Sequence, residues 1–211
     1  MKDIEAHDAC TRLHKMLEAF PWSDSQKLQG LPSNGLYFFY EDGENCGSHG
    51  PDGTRIVRVG THRKQGNLVK RLQNHYRTGG GTRFRRQLCR AIASKAGRWE
   101  SWMGIAGTVS ADPHFPADIQ EKVTAYFSNH LRFRCIEVNE KEHRIDLEER
   151  SIGTLANCAE CSPSAAWLGR YALEKTICKS GLWAVQHVKG QLRLREQDLE
   201  FITLLAERSP D

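Results

Sequence analysis

Between Arg55 and Arg98 the chain contains no aspartate and no glutamate. A solvated helix face usually mixes charge signs, so a long one-signed stretch argues against that explanation alone. Thirteen of the 30 lysines and arginines fall inside it: Arg55, Arg58, Arg63, Lys64, Lys70, Arg71, Arg77, Arg83, Arg85, Arg86, Arg90, Lys95 and Arg98. The remaining seventeen face all 26 acidic residues, so the formal net charge of +4 hides a polarised molecule. Such a block predicts a polyanionic partner.

Other absences narrow the class further. No apolar run approaches the roughly 18 residues of a membrane span, and Met1-Lys2-Asp3-Ile4-Glu5 lacks a signal peptide's charged-then-apolar layout. The expectation is a soluble, cytoplasmic chain. Close cysteine pairs are scarce: the seven cysteines are odd in number and irregular in spacing, and Cys158-Ala159-Glu160-Cys161 is the one near pair. A structural zinc normally needs a second pair at comparable spacing, and none is read here. Reduced thiols are therefore expected. Gly79-Gly80-Gly81 is not followed by Gly-Lys-Ser/Thr, which argues against a nucleotide-binding P-loop. There is no internal repeat and no low-complexity segment.

What is present is enough for one core. With 211 residues and 39% hydrophobic content, a single domain spanning 1–211 is expected. Residues 3–20 read as an amphipathic helix with Ile4, Cys10, Leu13, Met16, Leu17 and Phe20 on one stripe, ended by Pro21. Gly35-Leu36-Tyr37-Phe38-Phe39-Tyr40 and Arg55-Ile56-Val57-Arg58-Val59-Gly60 read as short strands. The insert between them, Glu41–Thr54, holds four glycines and a proline and is expected to be a mobile surface loop. A helix follows, with Leu68, Leu72 and Tyr76 on one face and Arg71 and His75 one turn apart beside it. Thr82 caps a further helix whose Leu88, Ala91 and Ile92 face inward and whose arginines face out. Trp99 and Trp102 lead into an extended stretch. Then come a helix over 117–130, a strand over 132–138, a helix over 142–157 and an amphipathic closing helix through Leu199, Ile202 and Leu205. Tryptophans of the C-terminal stretch are expected to pack a helix against the core.

Gly35-Leu36-Tyr37, Arg58-Val59-Gly60, the Arg71/His75 helix and a later glutamate follow one another in an order that resembles the GIY-YIG nuclease family. The resemblance covers about residues 30–160, with a C-terminal extension over about 161–211. It departs at Arg58, where the family has its second tyrosine. It implies an α/β (α+β) fold: a small, largely antiparallel three-stranded sheet flanked by helices, with helical additions at both ends. Tyr37, Arg58, Arg71, His75 and Glu148 occupy the family's catalytic positions. Glu148, with Ile152 one turn on, matches the metal-binding glutamate; Glu149 is the neighbouring alternative.

That resemblance further implies a metal-dependent endonuclease using Mg2+ or Mn2+ on double-stranded DNA, with a homodimer as one way to cut both strands. Arg63, Lys64, Lys70, Arg77, Arg83, Arg85, Arg86 and Arg90 would meet the phosphate backbone. Asn157 would buttress the site or cap its helix. Two rivals stay open: a non-catalytic nucleic-acid-binding protein that keeps the fold, and a zinc-bearing interaction protein built around Cys158 and Cys161.

Overall fold

The computed structural model describes residues 5–47, 49, 53–79, 81–98 and 115–208. Its elements run α1 (Ala6–Leu17), β1 (Gly35–Asn45), β2 (Thr54–Gly60), α2 (Leu68–Tyr76), α3 (Arg83–Lys95), α4 (Ala117–His130), β3 (Leu131–Glu137), α5 (Lys141–Ala156), α6 (Lys175–Ser180) and α7 (Glu196–Glu207). One-turn helices stand at Ala159–Cys161 and Leu168–Tyr171. The extended stretch after Trp99, and Asp3 and Ile4 at the start of the expected N-terminal helix, lie outside the described residues.

β1 organises the rest because it is apolar on both faces, and every residue from Gly35 to Glu41 is buried. A strand of this kind needs cover from two layers. It lies at the centre of an antiparallel sheet of order β2-β1-β3. Leu36, Phe38 and Tyr40 point to one layer, where they meet Leu13 and Leu17 of α1, Leu147 and Ile152 of α5, and Leu199 and Ile202 of α7. Tyr37 and Phe39 point to the other, with Leu72 of α2, Phe84 and Leu88 of α3, Val123 and Phe127 of α4, and Trp167 and Trp183. The expected three-stranded α/β architecture is the one observed.

Three expectations are corrected. The insert is not loop from Glu41 onward: β1 continues to Asn45, and Glu41, Glu44, Cys46 and His49 are buried. Glu41 is held there by Trp167 and Trp183, each donating its indole N–H to Oε2 at 3.2 Å, and by the Tyr126 hydroxyl. Glu44 forms a buried ion pair with Arg55 at 2.7 Å and accepts the Ser164 N–H at 3.1 Å. The polar insert thus turns inward because the C-terminal stretch supplies its partners. Second, Arg85 does not face out of α3 but is buried. It donates to the His75 carbonyl at 2.9 Å, the Gln120 carbonyl at 3.2 Å and the Thr124 hydroxyl at 2.9 Å. Third, the thiols are not all reduced, since Cys46 and Cys161 form a disulfide.

The tryptophans of the C-terminal stretch do pack on the core, and Trp183 N–H donates to the Val57 carbonyl at 2.8 Å. That contact covers part of the outer edge of β2, where unpaired backbone would otherwise invite another strand. No helix among the described residues is long and apolar enough to cross a membrane.

Candidate active site

The site begins with a missing side chain. Gly60 lies opposite Tyr37 in the β1–β2 register, and a Cβ at Gly60 would overlap the Tyr37 hydroxyl. The glycine therefore leaves the space that the phenol occupies. Tyr37 Oη is 2.9 Å from His75 Nε2, so one strand and α2 place the two rings edge to face.

His75 is fully buried, and its Nδ1 lies 3.0 Å from Thr82 Oγ1. The same hydroxyl oxygen accepts the Arg85 N–H at 3.2 Å and caps α3. Burial holds the imidazole well below its usual pKa, and the charges of Arg58, Arg71 and Arg85 act in the same direction. His75 is neutral at pH 7.

Arg58 enters from β2 with 8% of its surface exposed. It donates to the Trp183 carbonyl and lies over the Phe84 ring, 5.0 Å from its centroid. Burial lowers its pKa, opposed by the neighbouring Tyr37 and Glu148. Arg58 thus stands among the phenol, the carboxylate and Arg71. Tyr37 itself is fully buried.

Glu148 comes from α5, half-buried, with Oε1 accepting the Thr61 N–H at 3.2 Å. Thr61 is fixed in turn, its hydroxyl donating to the Gly35 carbonyl at 2.7 Å. Burial raises the Glu148 pKa; Arg58, His187, the Thr61 N–H and Arg71 pull against it. Oε2 has no hydrogen-bond partner among the described residues. Glu149 leaves this cluster and pairs with His187 at 3.0 Å. Arg71 is half-buried, and its Nε is buried without a hydrogen-bond partner among the described residues. A buried donor left unsatisfied is a place for an acceptor.

The structure therefore brings Tyr37, Arg58, Arg71, His75 and Glu148 together, from two strands and two helices. Asn157 is elsewhere, capping the end of α5 with its amide on the Gly153 carbonyl at 2.8 Å. Of the basic residues expected at the phosphate backbone, Arg63, Lys64, Lys70, Arg77 and Arg83 are exposed and Arg86 is half-buried. Arg90 is half-buried and paired with Glu174 at 2.8 Å, and Arg85 is internal. Four further residues shape the site without having been singled out for it: Thr61, Thr82, Trp183 and His187. Only Thr82 had a local signal, as a helix cap.

A lone carboxylate with one free oxygen fits a hard divalent cation, which takes few protein ligands and keeps waters. The groups of cysteine, histidine and glutamate that converge closely enough to hold an ion among the described residues lie elsewhere in the chain and do not include Glu148.

No curated protein and no solved structure matches the chain. A family model does match, that of the GIY-YIG domain, over residues 7–208. With nearly the whole chain covered and the strand, strand and helix order reproduced, this chain belongs to the GIY-YIG domain family, whose function is of the nuclease type.

Proposed function

We propose that the protein is a metal-dependent DNA endonuclease that hydrolyses phosphodiester bonds in duplex DNA. The observation that supports this most is the convergence of a phenol, an imidazole, two guanidinium groups and one free carboxylate oxygen around Gly60. Glu148 would hold Mg2+ or Mn2+ together with waters, and the ion supplies charge neutralisation at the scissile phosphate. Arg71 binds a non-bridging phosphate oxygen, satisfying an Nε donor that has no acceptor among the described residues. Tyr37 orients the attacking water or takes its proton. His75, neutral because it is buried, accepts the phenol proton at Nε2 in the tautomer that donates Nδ1–H to Thr82.

Arg58 cannot act as a base. In this reading it holds positive charge beside Tyr37 and Glu148 and must release the phenol when substrate enters. The covered state of Tyr37 favours a second reading, a nucleic-acid-binding protein that keeps the fold without cutting. A plasmid-cleavage assay comparing Mg2+, Mn2+ and chelator separates them. Metal-dependent cutting supports the nuclease; shifted but intact DNA in every metal removes it.

A further inference from the structure

At the far end of β1 from Tyr37, four of the chain's seven cysteines meet. Cys10 comes from α1, Cys46 and His49 from the β1–β2 connection, and Cys158 and Cys161 from the turn after α5. All five side chains are buried. The ligand atoms of Cys10, His49, Cys158 and Cys161 lie within 4.8 Å of one another. Cys10 Sγ is 3.4 Å from Cys161 Sγ, and His49 Nε2 is 3.3 Å from Cys158 Sγ. A tetrahedral ion with metal–sulfur bonds of about 2.3 Å has ligand-to-ligand edges of about 3.7 Å. The spacing is close to that of a closed metal site.

The histidine is also set for coordination. Thr11 Oγ1 donates its hydrogen to the His7 carbonyl at 3.0 Å, so at 2.9 Å from His49 Nδ1 it acts as acceptor of Nδ1–H. That leaves the Nε2 lone pair facing Cys158. A ring nitrogen fixed by a hydrogen bond on its far side is the usual support of a metal-bound histidine. Beside it, His14 donates Nδ1–H to the Cys10 carbonyl at 3.0 Å, and its Nε2 is buried without a partner among the described residues. The partners of the Cys158–Cys161 pair are thus Cys10 and His49, which lie too far apart in the sequence to show as a second close pair.

We infer that Cys10, His49, Cys158 and Cys161 bind one structural Zn2+ per chain, tying α1, the hairpin tip and the end of α5 together. Three thiolates and one imidazole are a ligand set suited to zinc, and four protein ligands leave no open position for catalysis. The ion and the Cys46–Cys161 bond compete for Cys161. Opening that bond with a water-soluble phosphine delivers two electrons from phosphorus and two protons, while the phosphine oxide keeps the oxygen of one water. Binding then sends to the buffer the protons that the ligand thiols still carry.

The test uses the full chain purified in phosphine. Elemental analysis should find about one zinc per chain. After stripping with chelator, titration with Co2+ should produce a sulfur-to-cobalt charge-transfer band and the visible bands of a tetrahedral site. Cys158→Ser and His49→Ala should each weaken Co2+ binding by at least about tenfold. Cys89→Ser, a buried thiol outside the cluster, should leave it unchanged. Reduced, folded wild-type chain without zinc and without the charge-transfer band overturns the site. So does a folded Cys158→Ser chain that binds Co2+ as wild type does. If neither variant folds, the wild-type spectrum decides alone. Because the readout is metal content and spectrum, it stands whether or not the protein cuts DNA.

Discussion

Glu148 and Glu149 are neighbours in sequence, yet one carboxylate reaches the Thr61 N–H and the Arg58–Arg71 charges while the other turns to His187. Helix geometry separates adjacent residues by about 100°, so the two cannot share one role. Glu148→Ala is expected to abolish cleavage while leaving DNA binding largely intact. Glu149→Ala, measured in the same assay, should keep cleavage within a few-fold; equal loss in both variants would remove the assignment. A second prediction concerns pH. His75 is neutral in the fold far below the pH at which an unfolded imidazole charges, so the unfolded chain binds the extra proton. Stability should fall as pH drops below about 6.5, by up to about 1.4 kcal/mol per pH unit from this group. His75→Gln should flatten the dependence of Tm on pH between 7 and 5, whatever its absolute Tm; an unchanged slope would contradict the buried neutral state. Much of the site was legible in sequence, because Tyr37, Arg71 and His75 sit at fixed offsets within one strand and one helix. Arg58 was legible as a departure but not in its consequence. The carbonyl that anchors it belongs to Trp183, 125 residues away, and nothing in the local pattern names that partner.

At the scale of elements, α3 carries two kinds of arginine within its first turn. Arg83 and Arg86 flank the helix start toward solvent, whereas Arg85 is tied to α2 and α4 through three acceptors. Arg83→Ala combined with Arg86→Ala should weaken DNA binding and reduce the slope of log affinity against log salt by about one to two, with little change in Tm. Arg85→Ala should instead lower stability by about 3 kcal/mol, since it strips buried carbonyls of a charged donor. Urea unfolding and a salt series on the same proteins distinguish the two effects. The sequence could not separate these residues, because the one-signed run gives every arginine in it the same appearance. The strands and helices were legible for a local reason: β1 opens with a continuous apolar run from Leu36 to Tyr40, and Thr82 is a cap with a clear helix behind it. The insert was misread for the opposite reason. Its glycines and acids look like loop until Tyr126, Trp167, Trp183 and Arg55 are brought up against them.

The whole molecule depends on that last docking. Glu41, near the middle of β1, accepts from two tryptophans of the C-terminal stretch and from Tyr126 of α4, and it is buried. The segment it secures also covers the β2 edge and anchors Arg58 beside Tyr37. A single carboxylate therefore couples the C-terminal third of the chain to the candidate active site. Removing it leaves two buried indole N–H groups without acceptors, each a loss of about 1–3 kcal/mol. Glu41→Ala should lower unfolding stability by about 3 kcal/mol or more and shift tryptophan emission to the red as Trp167 and Trp183 meet water. Glu41→Gln keeps an acceptor oxygen of the same shape and should restore most of both. Because Arg58 loses its anchor when Trp183 moves, Glu41→Ala should also change cleavage although Glu41 lies outside the cluster around Gly60. If Glu41→Ala unfolds like wild type and its emission is unmoved, the C-terminal stretch is held by apolar packing alone. In that case the carboxylate is a passenger in a core that closes without it.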